Sequence, residues 1–456
     1  MAGATISSVE RPDAAFSVLQ ELKRFLAHAQ LRLTRDRRDC NTLYMFQDRS
    51  NLKTTADAVR DDRRLRKFIE QSATLTEELA LANQLAIGPA GPSVEGVGLE
   101  RILIAYDLAS RYGQEQTADW VEGRSGWRRD ITQILSFFSQ MAQRRYEKST
   151  PQMTVAYYPA PLRAGIGYGQ LGKPLLDEYK ALLRLCRDAH TVLVVHQGSV
   201  ISGLLAGFGR TAADADDVPP IPPRLEHLRN LSHDKHENPP IVFNLNANGS
   251  MEILAKAELA FRRVNNIWRF TNLSGALEAI QKTLGMAASS NPAQVAHNFL
   301  SLALDLADRG EGALLFLCDE PTTDVLDRLL DSRDGIIRKL PGLPYQELSA
   351  RTRFTQLVGN QQLSLQNGAY RQLSPLLRDL CSIDGATLFS YRGQLLGFGC
   401  IVKVGTDALR VKIGVRQEGA RSAAAKAVSQ RGIAIKVSTD GDATLYLHGV
   451  EWGTFC

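Results

Sequence analysis

The sequence has few cysteines, and no two of its six form a CxxC pair. Zinc sites and the disulfide frameworks of small secreted proteins both need cysteines at characteristic short spacings. We therefore expect reduced and mostly buried thiols instead of a metal site or a disulfide-bonded scaffold. The six residues are Cys40, Cys186, Cys318, Cys381, Cys400 and Cys456.

Long apolar runs are also missing. No stretch of the sequence approaches the roughly 18 consecutive apolar residues that a membrane-spanning helix needs. The first residues, 1–5, lack the basic segment followed by an apolar one that marks a secretory signal. The sequence therefore predicts a cytoplasmic protein without a membrane segment.

Charge of one sign is not in strong excess either. The chain has 54 lysines and arginines against 49 aspartates and glutamates, a formal net charge of +5. This balance is a weak argument for nucleic acid, although it would not repel a phosphorylated ligand.

A hydrophobic content of 44% and a charged content of 23% are typical of a globular protein. A length of 456 residues favours two or three domains.

Residues 1–150 are predicted to be a helical region, because apolar side chains recur there at three- and four-residue spacing. The segments 16–26 and 131–141 show this pattern most clearly, and arginines crowd the polar faces, as in 60–66. An arginine-lined surface for nucleic acid or an acidic partner is one interpretation. Because acidic residues alternate with the arginines, we favour a solvated helix face.

From residue 151 the pattern becomes that of an α/β module, 151–285, with an antiparallel portion. Short β-branched apolar runs predict buried strands, and the Asn248-Gly249 pair predicts a hairpin turn. The predicted strands are 153–158, 191–196, 240–245, 250–254, 260–264 and 267–270, with a helix at 175–187.

A proline-rich segment of this module, 219–240, contains His233 and His236. Histidines three residues apart share one face of a helix and can bind a metal there. No cysteine or third histidine lies at ligand spacing, so we favour an exposed loop.

The last segment, 291–456, combines helices with strands in an order that requires both parallel and antiparallel neighbours. The natural architecture is a mixed sheet flanked by helices, so the fold class is α/β, or α+β. The predicted helices are 295–307, 324–331, 374–381 and a helix ending at 430, and the predicted strands are 313–318, 387–390, 394–404, 408–415, 433–438 and 443–447.

Two short motifs interrupt this segment. Asp384 follows a helix and precedes a strand, with Gly385 removing bulk beside it, so its carboxylate is suited to Mg²⁺ or Mn²⁺. Gly419 lets the backbone approach a ligand, and Arg421 supplies a charged fork for phosphate at a helix start. Each motif alone is also typical of an ordinary turn or helix start.

In this order, the two motifs resemble the diadenylate cyclase (DAC) domain of the DNA-integrity scanning protein and its relatives. The resemblance includes segments 298–318 and 373–380 and covers roughly the last third of the chain. It implies two facing domains, each holding one ATP. In the reaction that the resemblance implies, the 3′-hydroxyl of each ATP attacks the α-phosphate of the other, giving cyclic di-AMP and two pyrophosphates. It also implies a metal ion, Mg²⁺ or Mn²⁺, on Asp384, with a nucleotide site formed by Gly385, Ala386, Gly419, Ala420, Arg421 and Ser422.

The second motif departs from the family pattern, Gly-Thr-Arg-His-Arg. Gly419 and Arg421 match it, whereas Ala420, Ser422 and Ala423 replace the threonine, the histidine and the second arginine. Phosphoryl transfer is catalysed mainly by positioning and by cations around the charged oxygens. We therefore expect these replacements to slow catalysis by orders of magnitude and to affect binding less.

Two hypotheses follow. The one that we favour is a DAC-like domain that senses ATP or a cyclic dinucleotide, with weak or lost cyclase activity. The alternative is an active diadenylate cyclase with an altered phosphate clamp. No residue of the loop obviously replaces the missing groups, and Arg416 and Lys426 are the cations that could reach their place. A purely structural role is the third interpretation. The expected partners are a nucleotide ligand and a second copy bound through the C-terminal domain.

Overall fold

The computed structural model describes residues 5–6, 43–44, 99–112, 126–143, 151–159, 169–170, 191–206, 219–232, 239–264, 267–286, 292–318, 365, 375–402 and 419–455. The internal contacts divide the chain into two compact units. The first unit comprises Met1–Asn51, Arg60–Ala213 and Leu225–Thr271, and the second comprises Leu52–Val59, Asp214–Arg224 and Asn272–Cys456. The three domains expected at 1–150, 151–285 and 291–456 stay a prediction.

Within the residues that the structure describes, the first unit contains a two-stranded ladder, three helices and a sheet of eight strands. Its elements in chain order are β1 (Thr5–Ile6), β2 (Leu43–Tyr44), α1 (Leu99–Arg111), α2 (Gly126–Gln143), β3 (Met153–Tyr158), β4 (Gly169–Gln170), β5 (Thr191–His196), β6 (Val200–Ala206), α3 (Glu226–Ser232, directly after a 3-10 turn at Pro223–Leu225), β7 (Ile241–Leu245), β8 (Met251–Ala255), β9 (Glu258–Val264) and β10 (Ile267–Phe270).

The eight strands lie in the order β10-β9-β8-β7-β3-β5-β6-β4. β3 and β5 pair in parallel, and the other neighbours pair antiparallel. Helix α2 packs on this sheet because its apolar residues recur at helical spacing, so that Ile131, Ile134 and Phe138 are all buried. The rings of Phe138 and Phe243 lie 6.2 Å apart, which places α2 against β7.

The second unit contains four helices and a sheet of six strands within the described residues. Its elements are α4 (Leu273–Met286), α5 (Pro292–Arg309), β11 (Ala313–Cys318), α6 (Pro375–Cys381), β12 (Ala386–Ser390), β13 (Leu395–Cys400), α7 (Ala420–Ser429), β14 (Gly432–Val437), β15 (Ala443–Leu447) and β16 (Val450–Thr454).

This second sheet is mixed, with the order β13-β12-β11-β14-β15-β16. β11 and β12 are parallel, and the remaining neighbours are antiparallel. Helices cover both faces: Ala425 and Val428 of α7 pack with Phe316 on one face, and Phe299 of α5 contacts Phe389 on the other. The predicted α/β class, with a mixed sheet flanked by helices, is confirmed.

The segment predicted as an exposed proline-rich loop is in part a helix. Residues Glu226–Ser232 form α3, and Leu228 and Leu231 are buried. The loop prediction was wrong for these residues because the prolines at 219–223 come before the helix, where they do not interrupt its hydrogen bonds. His233 and His236 lie outside the described residues.

Several other predictions also lie outside the described residues. They are the helical segments 16–26, 60–66, 175–187 and 324–331, the strand 408–415, and the cation Arg416.

Candidate functional site

The two sequence motifs lie at the same end of the six-stranded sheet. Leu314 at the start of β11 pairs with Ala386 at the start of the parallel strand β12. Leu314 also pairs with Lys436, near the end of the antiparallel strand β14. Because α7 leads into β14 and runs back along it, the start of α7 lies at this end as well. Asp384 and Arg421 are therefore brought together by strand pairing.

Arg421 and Asp384 form an ion pair. Nη2 of Arg421 donates to Oδ1 of Asp384 over 3.1 Å, and the two residues are 37 positions apart in the sequence. The Asp384 side chain is 95% exposed and the Arg421 side chain is 41% exposed. An ion pair this exposed contributes about 0–1 kcal/mol of stability. Either partner can therefore exchange the other for a ligand at little free-energy cost.

Gly312, just before β11, makes room for the guanidinium. A Cβ atom at this position would overlap Nη1 of Arg421 and would lie 3.2 Å from the methyl group of Thr439. The absence of a side chain at Gly312 therefore sets the place where the Arg421 guanidinium lies. Sequence reasoning placed Gly312 in the resembling segment but gave it no part in the site, because nothing local indicates which side chain faces it.

Gly385 fixes the backbone next to Asp384. Its φ is +111°, and an added Cβ would lie 2.6 Å from the carbonyl carbon of Gly399 and 2.8 Å from the nitrogen of Cys400. This backbone conformation is strained for any residue with a side chain. Glycine is therefore required here by the close approach of β13, and it holds Asp384 at the end of the sheet where β12 begins.

The remaining predicted site residues occupy different environments. Ala386 is buried in the core beneath α7, together with Leu388 and Ala425. Gly419 and Ala420 are exposed at the start of α7, and no described atom lies within 4 Å of a Cβ added to Gly419. Their parts in ligand binding stay predictions.

Ser422 has a hydrogen-bond partner that the sequence did not indicate. Nζ of Lys436 donates to Oγ of Ser422 over 3.1 Å. Lys426, which we had considered as a replacement cation, lies in the last turn of α7, at the other end of the helix from Arg421. The sequence did contain a signal for this lysine. One face of β14 carries Gly432, Ala434 and Lys436, so a lysine stands at the end of an otherwise uncharged strand face.

The described residues contain no group of three or more histidine, cysteine, aspartate or glutamate side chains able to hold a metal ion. Magnesium commonly binds through one or two carboxylates and completes its shell with water and substrate phosphates. The single, exposed Asp384 carboxylate fits that mode, and its role as a ligand of Mg²⁺ or Mn²⁺ stays a prediction.

The cysteines that the structure describes are free thiols. Cys318, Cys381 and Cys400 are buried, and burial raises the pKa of the Cys381 thiol to about 12. The expectation of reduced, buried cysteines is confirmed for these three, and Cys40, Cys186 and Cys456 lie outside the described residues. Within that same part of the chain, no helix has the length and apolar character needed to cross a membrane.

Neither a family model nor a curated protein matches the sequence. Among solved structures, a hypothetical membrane-spanning protein from Bacillus cereus is similar at 15% identity and a TM-score of 0.25, over 40% of this chain and 72% of that one. A double mutant of DacA from Staphylococcus aureus is similar at 14% identity and a TM-score of 0.23, over 37% of this chain and 90% of that one. TM-scores this low carry no argument about function.

Proposed function

We propose that the second unit is a DAC-like domain that binds ATP or a cyclic dinucleotide where Asp384 and Arg421 meet, with weak or lost cyclase activity. The observation that supports this proposal most directly is their ion pair. It joins the carboxylate suited to a metal ion and the guanidinium suited to phosphate at one end of one sheet. Neither group alone would distinguish a nucleotide site from an ordinary surface.

The exposure of the pair suits it to ligand exchange. Arg421 presents a planar fork of donors that matches phosphate oxygens, and its Nη2 contacts the Asp384 carboxylate. A Mg²⁺ or Mn²⁺ ion held by Asp384 would leave the guanidinium to the phosphate. We therefore expect metal ion and nucleotide to strengthen each other's binding.

The loop at the start of α7 supports binding over catalysis. Phosphoryl transfer depends on several cationic groups around the reacting phosphate. Ser422 offers a hydroxyl in place of an imidazole, and Ala423 offers no charge. Arg421 and the N-terminus of α7 still provide what binding needs.

One experiment separates the sensor from the alternative, an active diadenylate cyclase. The pure protein is incubated with labelled ATP and Mg²⁺ or Mn²⁺, and bound nucleotide and product are measured in parallel with an Asp384→Ala variant. We expect bound nucleotide and little or no cyclic di-AMP. Cyclic di-AMP that disappears in the variant would instead establish the cyclase. If neither ATP nor any cyclic dinucleotide binds, both functions are excluded.

A further inference from the structure

The end of β14 places an unassigned lysine beside the proposed site. Lys436 is on the sheet face that α7 covers, two residues after Ala434, which packs in the core with Ala425 and Val428 of that helix. Successive side chains of a strand alternate between faces, so Gly432, Ala434 and Lys436 share this one. A lysine therefore stands on an otherwise uncharged strand face, where the first turn of α7 covers the sheet.

The Lys436 side chain reaches this first turn. Its ammonium donates to the Ser422 hydroxyl over 3.1 Å, and Ser422 directly follows Arg421. Ser422 is neutral, and within the part of the chain that the structure describes no carboxylate pairs with the charge of Lys436. Arg421, in contrast, already shares its charge with Asp384.

The cations come from different elements. Lys436 stands on β14, whereas Arg421 stands on α7, and together with Asp384 they carry a net charge of +1. A ligand with a single phosphate can pair with Arg421 alone. A ligand with two phosphate groups offers a second anionic group to the ammonium next to Ser422.

We propose that Lys436 is a binding residue of this same site, contacting a second phosphate group of the ligand beside the one bound by Arg421. The inference rests on the proposed function and adds to it a preference for nucleotides that carry two or more phosphates. The Lys436–Ser422 contact holds the ammonium in place before the ligand arrives. Such preorganisation limits the side-chain entropy lost on binding.

The test uses Lys436→Met, which keeps an unbranched apolar side chain and removes the charge. Lys426→Met makes the same change in the last turn of α7 and is the matched control. ATP, cyclic di-AMP and AMP, each with Mg²⁺, are titrated into the full chain by calorimetry. We expect Lys436→Met to weaken binding of ATP and cyclic di-AMP about 10- to 100-fold, with little change for AMP. Lys426→Met should bind as the wild type does.

Two further readouts distinguish binding from a structural role of Lys436. Lys436→Arg should restore most of the affinity, and the salt dependence of ATP binding should be less steep in Lys436→Met than in the wild type. Equal ATP affinity in the wild type and Lys436→Met would overturn this inference and leave the proposed function standing. A wild-type protein that binds none of the three nucleotides would overturn both.

Discussion

At the scale of single residues, two glycines affect where the charged side chains of the site lie. Gly385 adopts a φ of +111° against β13 and so sets the position of Asp384. Gly312 leaves the space that the Arg421 guanidinium enters. The positions of both charged groups in the ion pair therefore depend on a neighbouring residue without a side chain.

Gly312→Ala tests this dependence without changing any charge. The added methyl group would push away the end of a flexible arginine side chain and would crowd the methyl group of Thr439 at 3.2 Å, so we expect a small change in the melting temperature. The affinity for ATP should fall, by less than it does when Arg421 is removed. Calorimetry with Mg²⁺ and ATP measures the effect.

The control for this variant is Gly285→Ala in α4, where no described atom lies within 4 Å of the added Cβ. This change should leave ATP affinity unaltered, since the residue is outside the site. Wild-type affinity in Gly312→Ala would show that the position of the guanidinium does not matter for binding.

At the scale of elements, a buried carboxylate joins α2 to the turn between β5 and β6. Oδ2 of Asp130 accepts from the Tyr157 hydroxyl over 2.9 Å and from the Gly198 amide over 2.8 Å. Ser199, held at a φ of 57°, donates to Oδ1 over 3.2 Å. Burial, the charge of Asp130 and the hydrogen bond between Tyr157 and Asp130 together raise the pKa of Tyr157. The Tyr157 phenol therefore keeps its proton and remains a hydrogen-bond donor to Asp130 across the physiological pH range.

Asp130→Ala should destabilise the first unit without affecting nucleotide binding by the second. The change leaves three donors without their acceptor. Two of them, Tyr157 and Ser199, are buried, and each buried donor left unsatisfied costs about 1–3 kcal/mol. Urea unfolding followed by circular dichroism measures the loss. Gln140→Ala, at an exposed position of the same helix, is the control and should change stability little. An unfolding midpoint in Asp130→Ala equal to that of the wild type would contradict this account.

The helices and strands that the sequence predicted correctly are those whose apolar residues follow a clear helical or strand pattern. Strand β5 is a continuous β-branched run, and α5 repeats its leucines at helical spacing, so both were found. Strand β6 was missed because Ser202 and Gly203 interrupt its apolar residues, and its pairing with β5 is what makes it a strand. Helix α3 was missed because it is only 7 residues long and follows a cluster of prolines.

At the scale of the whole molecule, the site depends on strand register, which local sequence patterns do not encode. The resemblance to the DAC family brought Asp384 and Arg421 into one predicted site. The sequence did not predict Lys436 as a neighbour of the site, because its position there follows from the pairing of Leu314 with both β12 and β14. Residues from distant parts of the chain lie together there because the strands of the six-stranded sheet pair in this register.

The central claim is that Asp384 and Arg421 belong to one nucleotide site, and titration of ATP and cyclic di-AMP into Arg421→Ala tests it most directly. We expect binding to weaken by about 1.5–3 kcal/mol, the contribution of a charge-assisted hydrogen bond. Arg431→Ala, an exposed arginine beyond the other end of α7, should bind as the wild type does. Unchanged affinity in Arg421→Ala would place the ligand elsewhere and contradict the account.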